Sequence, residues 1–169
     1  MGQMDTKWDS LQEVFYDFPS KQFTIRELAK LAKIPKSTVQ KYLGELKKRG
    51  WVTRENQANN TELSFKLRKI HHYVEKIADS GVIEELVERL NPSVIILFGS
   101  IRKGESEKES DIDLFVETAV KKEVDLSKYK KKLGREIQLF VYPEMAKLPA
   151  PLFNNVVNGI KLYGSFAIK

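Results

Sequence analysis

Residues 94–116 read VIILFGSIRKGESEKESDIDLFV, and the reading of this stretch decides the fold. It opens on an apolar run, Val94 to Phe98, and closes on another, Leu114 to Val116. Both runs are short and rich in β-branched and aromatic residues, the composition of buried strands. The first ends in Gly99-Ser100, a tight turn whose backbone amides can face a phosphate. Ten residues further on comes Asp111-Ile112-Asp113. Side chains at i and i+2 of a strand share a face, so the two carboxylates stand together, with Cα atoms about 6.6 Å apart, while Ile112 and Leu114 turn to the core. A carboxylate pair beside a phosphate cradle is what a divalent ion on a nucleotide requires.

The chain around this stretch has 169 residues, room for one medium domain or two small ones. Apolar residues make up 41%, enough for a core and too many for wholesale disorder. There is no cysteine, which excludes disulfides, thiolate zinc sites and cysteine nucleophiles. No apolar stretch approaches the roughly 18 residues of a membrane span. The N-terminus lacks the apolar core of a signal peptide. A cytoplasmic protein with no membrane partner is therefore expected. His71 and His72 are adjacent in a helical segment and cannot face one metal together; they read as surface or packing residues.

The net charge of +6 is unevenly placed. Between Lys21 and Arg54 there are ten basic residues against two acids, Glu27 and Glu45, an excess of +8. The remainder sums to −2. A local basic excess of this kind implies a polyanionic partner for that segment.

The same segment has an ordered pattern. Trp8, Leu11, Phe15 and Phe18 recur at helical spacing, and Pro19-Ser20 ends the helix. Thr24 and Glu27 form a capping box for a second helix that buries Ile25, Leu28 and Leu31. Ile34-Pro35-Lys36 is a turn. A third helix follows with Val39, Leu43 and Leu46 inward, ending at Gly50. Residues 51–54 and 61–65 suggest two strands around a polar tip. The segment FTIRELAKLAKIPKSTVQKYLGELKKRGWV, residues 23–52, resembles winged helix-turn-helix regulators. On its third helix Lys36, Ser37, Thr38, Gln40 and Lys41 project away from the apolar stripe, as a helix in a major groove would present them. Arg54 and the amides of Asn59 and Asn60 are expected on the wing. Such modules also serve as protein-docking domains, and the +8 excess favours duplex DNA. Leu67, Ile70, Val74 and Ile77 then give one apolar face of a connecting helix.

Residues 99–116 resemble the signature of the nucleotidyltransferases of the DNA polymerase β superfamily, especially the minimal prokaryotic ones. That signature is Gly-Ser, ten residues, Asp-x-Asp. The resemblance covers residues 81–169. It implies a small polymerase-β-like domain with a mixed sheet over 81–169; with the winged helix-turn-helix read over 1–66 and the connecting helix over 67–80, the expected fold class is α/β (α+β). It implies catalytic, metal-binding roles for Asp111 and Asp113, toward Mg²⁺ or Mn²⁺. It implies nucleotide-binding roles for Gly99, Ser100 and Lys103, toward a nucleoside triphosphate, with ATP the expected one.

The resemblance fails at one position. The family's third carboxylate sits in the next strand, between apolar residues, and here that context is Ile137-Gln138-Leu139. A glutamine cannot take a proton from an acceptor hydroxyl near neutral pH, and its amide oxygen is a weak neutral ligand. Glu136 shares the strand face of Gln138, but lies about 6.6 Å away along the strand. Two functions follow. One is an enzyme that transfers AMP from ATP to a hydroxyl of a partner, a protein acceptor on a separate chain or a small molecule. The other is a DNA-binding transcriptional regulator whose degenerate domain senses nucleotide or forms a homodimer. A polymerase is the weakest reading, because no template-gripping domain fits in 169 residues.

Overall fold

The strand over 94–98 does not alternate because both of its faces are covered. In a computed structural model of the chain, which describes residues 6–166, β1 (Val94–Phe98) is buried at every position. It pairs antiparallel with β2 (Ile112–Glu117) on one side and with β4 (Ile160–Gly164) on the other. β3 (Ile137–Tyr142) joins the far side of β2 in parallel, giving the order β3-β2-β1-β4. Eight α-helices accompany this mixed sheet among the described residues, so the class is α+β. They are α1 (Thr6–Asp17), α2 (Ile25–Ala32), α3 (Lys36–Lys48), α4 (Leu63–Ser80), α5 (Val82–Leu90), α6 (Gly99–Lys103), α7 (Ser127–Leu133) and α8 (Ala150–Val157).

By its contacts the chain divides into two units. The first runs to Lys69 and includes Ser106–Lys108; the second holds Ile70–Glu105 and everything from Glu109 onward.

In the second unit the β1–β2 register aligns Ile96 with Phe115 and Phe98 with Asp113. Partners directly opposite in a ladder share a face. One face thus carries Val94, Ile96, Phe98 and Phe115, which cluster with Met145 of the 3₁₀ turn Met145–Lys147, with Leu148 just after it and with Val156 of α8. The other carries the fully buried Ile95, Leu97, Ile112, Leu114 and Val116. Glu117 ties the closed end of the sheet. Its carboxylate accepts from the Ser93 hydroxyl (2.6 Å) and from the Met145 amide (2.6 Å).

The first unit is built on α1, α2 and α3, with Leu11, Phe15, Leu28, Val39 and Leu46 at its centre. Thr24 caps α2 and Glu27 returns the bond, the reciprocal box legible in the sequence. Three expectations are corrected here. Leu31 is 44% exposed, and Leu28 with Ala32 makes the buried stripe of α2. The wing has a single isolated bridge, Val52 to Ala58, in place of the two expected strands: residues 51–54 form no strand, and Leu63–Phe65 already belongs to α4. The buried face of α4 runs through Phe65, Lys69, Tyr73 and Ile77, whereas Leu67 is 56% exposed. Lys69 is buried because its ammonium donates to the carbonyl of Ser106, a partner that an apolar-periodicity reading cannot anticipate.

The capping box has a measurable acid response. The Thr24 amide and hydroxyl, with Lys21 beside them, hold the Glu27 carboxyl down at about 2. A carboxyl lowered on folding stabilises above its unfolded value, about 4.3, and that contribution fades as pH falls toward the folded value. Thr24→Ala is expected to cost about 1 kcal/mol at neutral pH in urea unfolding. Its deficit against wild type should shrink steadily between pH 5 and pH 2.

Candidate functional site

The open end of the sheet brings the two halves of the signature together. Phe98 is the last residue of β1 and its ladder partner is Asp113, so Gly99 arrives beside the Asp113 carboxylate. A Cβ added at Gly99 would lie 1.9 Å from Asp113 Oδ2, and the residue holds φ of +73°. Glycine is thus required twice, for the left-handed backbone and for the room Asp113 occupies. From Gly99 the chain turns into α6, which carries Ser100 and an exposed Lys103 and closes on Gly104 at φ +70°. Gly99 and Ser100 are half-buried, and Gly99 lies directly beside the Asp113 carboxylate.

Asp111 stands one residue ahead of β2, is exposed, and lies on the Asp113 side. Burial raises the Asp113 carboxyl above its ordinary value, and the neighbouring Asp111 charge raises it further. The two carboxylates stand together at the open end of the sheet, and oxygen donors of this kind are what a hard divalent cation would take.

The parallel register of β2 and β3 aligns Asp113 with Gln138 and Ile112 with Ile137. Gln138 is exposed and stands beside Asp113, where the sequence placed a missing third carboxylate. Glu136 is turned to another use. Its carbonyl accepts from the Ile112 amide (2.9 Å) and its carboxylate pairs with Lys130. Among the described residues no group of three or more His, Cys, Asp or Glu side chains is placed to hold a metal. A cation here would be held by Asp111 and Asp113 and would need phosphate oxygens and water to complete its shell, as Mg²⁺ on a nucleotide does. Sequence reasoning missed Arg135, whose Nη1 donates to the Ser110 carbonyl (2.8 Å) just ahead of Asp111. A basic residue before a strand carries no signal that it is buried.

In the first unit Lys36, Ser37, Gln40 and Lys41 are exposed on α3 and Thr38 is half-buried. Arg54 is exposed on the wing, and its carbonyl accepts from Lys47 Nζ (2.9 Å). The amide of Asn59 is not presented by the wing. Asn59 Nδ2 donates to the Gly50 carbonyl (2.8 Å), and the short side chain closes the turn after α3, a role that polarity alone does not distinguish from an exposed one. Asn60 is half-buried.

Comparison with known families agrees with this geometry. Residues 80–158 match the nucleotidyltransferase domain family, and residues 14–60 match the MarR family. No curated protein and no solved structure matches the chain. The chain carries a MarR-type DNA-binding winged helix domain followed by a nucleotidyltransferase domain. No helix among the described residues is long and apolar enough to cross a membrane.

The contact between Gly99 and Asp113 can be read in a double-mutant cycle. Gly99→Ala should destabilise by more than about 1 kcal/mol, the cost of a left-handed alanine, because the methyl also displaces the carboxylate. Asp113→Ala in that background should recover the steric part and leave the backbone part. Additive losses in chemical denaturation would mean that the two residues do not touch.

Proposed function

We propose that this protein is a DNA-binding regulator whose nucleotidyltransferase domain binds a nucleoside triphosphate, ATP the expected one, together with Mg²⁺ or Mn²⁺. Transfer from that nucleotide is slow or absent. The observation that carries the reading is the alignment of Asp113 with Gln138 in the β2–β3 ladder. It supports a site with two carboxylates and a neutral amide. In this reading Asp111 and Asp113 hold the cation, while Gly99, Ser100 and Lys103 receive the phosphates. The bound cation would neutralise phosphate charge. Nucleotidyl transfer also requires a base for the acceptor's proton as its oxygen bonds to the α-phosphorus and pyrophosphate leaves. Gln138 cannot serve as that base, and Glu136 is engaged by Lys130.

A second reading is transfer of AMP to a hydroxyl of a separate partner chain or a small molecule. What favours it is the joint retention of Gly99-Ser100 and the Asp111–Asp113 pair, which binding alone does not demand in full. Under either reading the partners are nucleotide, duplex DNA and, for a regulator, a second copy of the chain, and the setting is the cytoplasm.

Calorimetry of ATP with Mg²⁺ and with a chelator tests the site. Mg²⁺ should tighten binding, and Asp113→Asn should abolish that gain while leaving the fold intact. Once an acceptor is in hand, Gln138→Asp should raise single-turnover transfer at least tenfold, about 1.4 kcal/mol of barrier. A fast wild type with Glu136→Gln inactive would move the third carboxylate to Glu136.

For the first unit, duplex affinity should fall with salt. Lys36→Ala and Lys41→Ala should each reduce the log–log salt slope by about one. Indifference of the full-length protein to DNA at low salt would leave the winged helix as a docking module.

A further inference from the structure

Asp111 lies outside the β2 ladder, so something other than strand pairing must hold it beside Asp113. The peptide units on its two sides are both tied. The Ser110 carbonyl accepts from Arg135 Nη1 at 2.8 Å. The Ile112 amide donates to the Glu136 carbonyl at 2.9 Å. Both ties come from adjacent residues at the entry to β3. The second is an ordinary backbone bond that any sequence could make. The first depends on one side chain.

That side chain is itself fixed. Arg135 is only 6% exposed and Tyr73 only 3%. The Arg135 guanidinium lies over the Tyr73 ring, 4.5 Å from its centroid, and Nη2 donates to the Tyr73 hydroxyl at 2.7 Å. Burying a guanidinium is costly unless its donors are met. A planar fork held against an aromatic face and bonded at two nitrogens has little freedom left. An exposed surface arginine would tolerate loss of such a contact; a buried, stacked one transmits its own position to whatever it touches. Here that is the peptide unit entering Asp111.

We infer that Arg135, seated on Tyr73, is a positioning residue of the nucleotide site: it fixes the Ser110–Asp111 peptide and so holds the Asp111 carboxylate in register with Asp113. The inference rests on the reading of Asp111 and Asp113 as ligands of the metal–nucleotide. Arg135 touches neither nucleotide nor cation. Its loss therefore affects what the carboxylate pair does together and spares what Gly99 and Ser100 do alone.

The test uses the full-length protein and ATP, titrated with Mg²⁺ and with a chelator, for wild type, Arg135→Met, Arg135→Lys and Tyr73→Phe. Arg135→Met should bind metal-free ATP within about twofold of wild type and lose at least tenfold of the gain from Mg²⁺. Arg135→Lys should restore part of that gain, since an ammonium can reach one acceptor but cannot reproduce the fork. Tyr73→Phe keeps the ring and removes one hydroxyl; it should lose about threefold, and it decides the matter if Arg135→Met does not fold. Amide exchange in ligand-free protein should quicken at Asp111 and Ile112 and stay unchanged at Ile95–Leu97.

An unaltered Mg²⁺ gain in the variants overturns the inference, as does an equal loss of metal-free and metal-dependent binding. Unchanged exchange at Asp111 overturns it independently of nucleotide. A wild type with no Mg²⁺ gain overturns the reading of the site itself, and the role assigned to Arg135 falls with it.

Discussion

The pairing of Phe98 with Asp113 across β1 and β2 is the constraint on which the site depends. It fixes the last residue of one strand against the second residue of the next. Gly99 must then pass the Asp113 carboxylate at a distance that no other residue allows. The ten residues between the two halves of the signature are therefore a return path whose length serves the register. The same pairing sets the polarity of the face. Deeper along it come Ile96 and Phe115, packed against Val156. Asp113 stands where this apolar surface meets water, and its raised carboxyl follows from that border position.

The register of β3 against β2 decides what stands beside Asp113. The Cα partner of Asp113 is Gln138, so the amide borders the candidate site. A glutamine there removes one negative charge without removing a polar contact. In the proposed function the pair Asp111 and Asp113 would still gain from a cation between them, and binding would draw on that gain. Turnover would need a base that the Gln138 amide cannot supply, so under that proposal the glutamine separates two properties that a third aspartate would join.

What the sequence disclosed was whatever rests on local periodicity or on a fixed spacing. β1, β2 and β3 were legible from their apolar, β-branched and aromatic runs, and the α2 cap from Thr24 and Glu27. What stayed hidden rests on partners distant in sequence. Lys69 lies on the buried face of α4 because the Ser106 carbonyl receives its charge, so the apolar stripe drawn through Leu67 was rotated from the true one. The second wing strand failed because Leu63 and Phe65 satisfy helical as well as extended periodicity, and helix continuation through Ser80 prevailed. Arg135 was invisible because a basic residue before a strand ordinarily faces solvent, and only Tyr73 and Ser110 give it reason to be buried.

Charge in the first unit needs the same distinction between composition and placement. The excess of +8 over residues 21–54 counts every cation equally. Several of those cations serve the fold. Arg49 lies over the rings of both Trp8 and Trp51, at 5.5 Å and 5.1 Å, where its planar charge acts as a packing element. Lys47 closes onto the Arg54 carbonyl, Lys48 pairs with Glu45 at 3.0 Å, and Lys21 pairs with Glu27 at 3.1 Å. Lys36 and Lys41 are exposed on α3, on the same side as Ser37 and Gln40. The potential around the unit is set by the whole excess, which draws a polyanion in without selecting how it lies. Orientation has to come from the few exposed cations grouped with hydrogen-bonding side chains, because only these can meet phosphates and base edges at once. That grouping on α3, more than the net charge, is the physical argument for the helix as the face that would meet DNA in the proposed function.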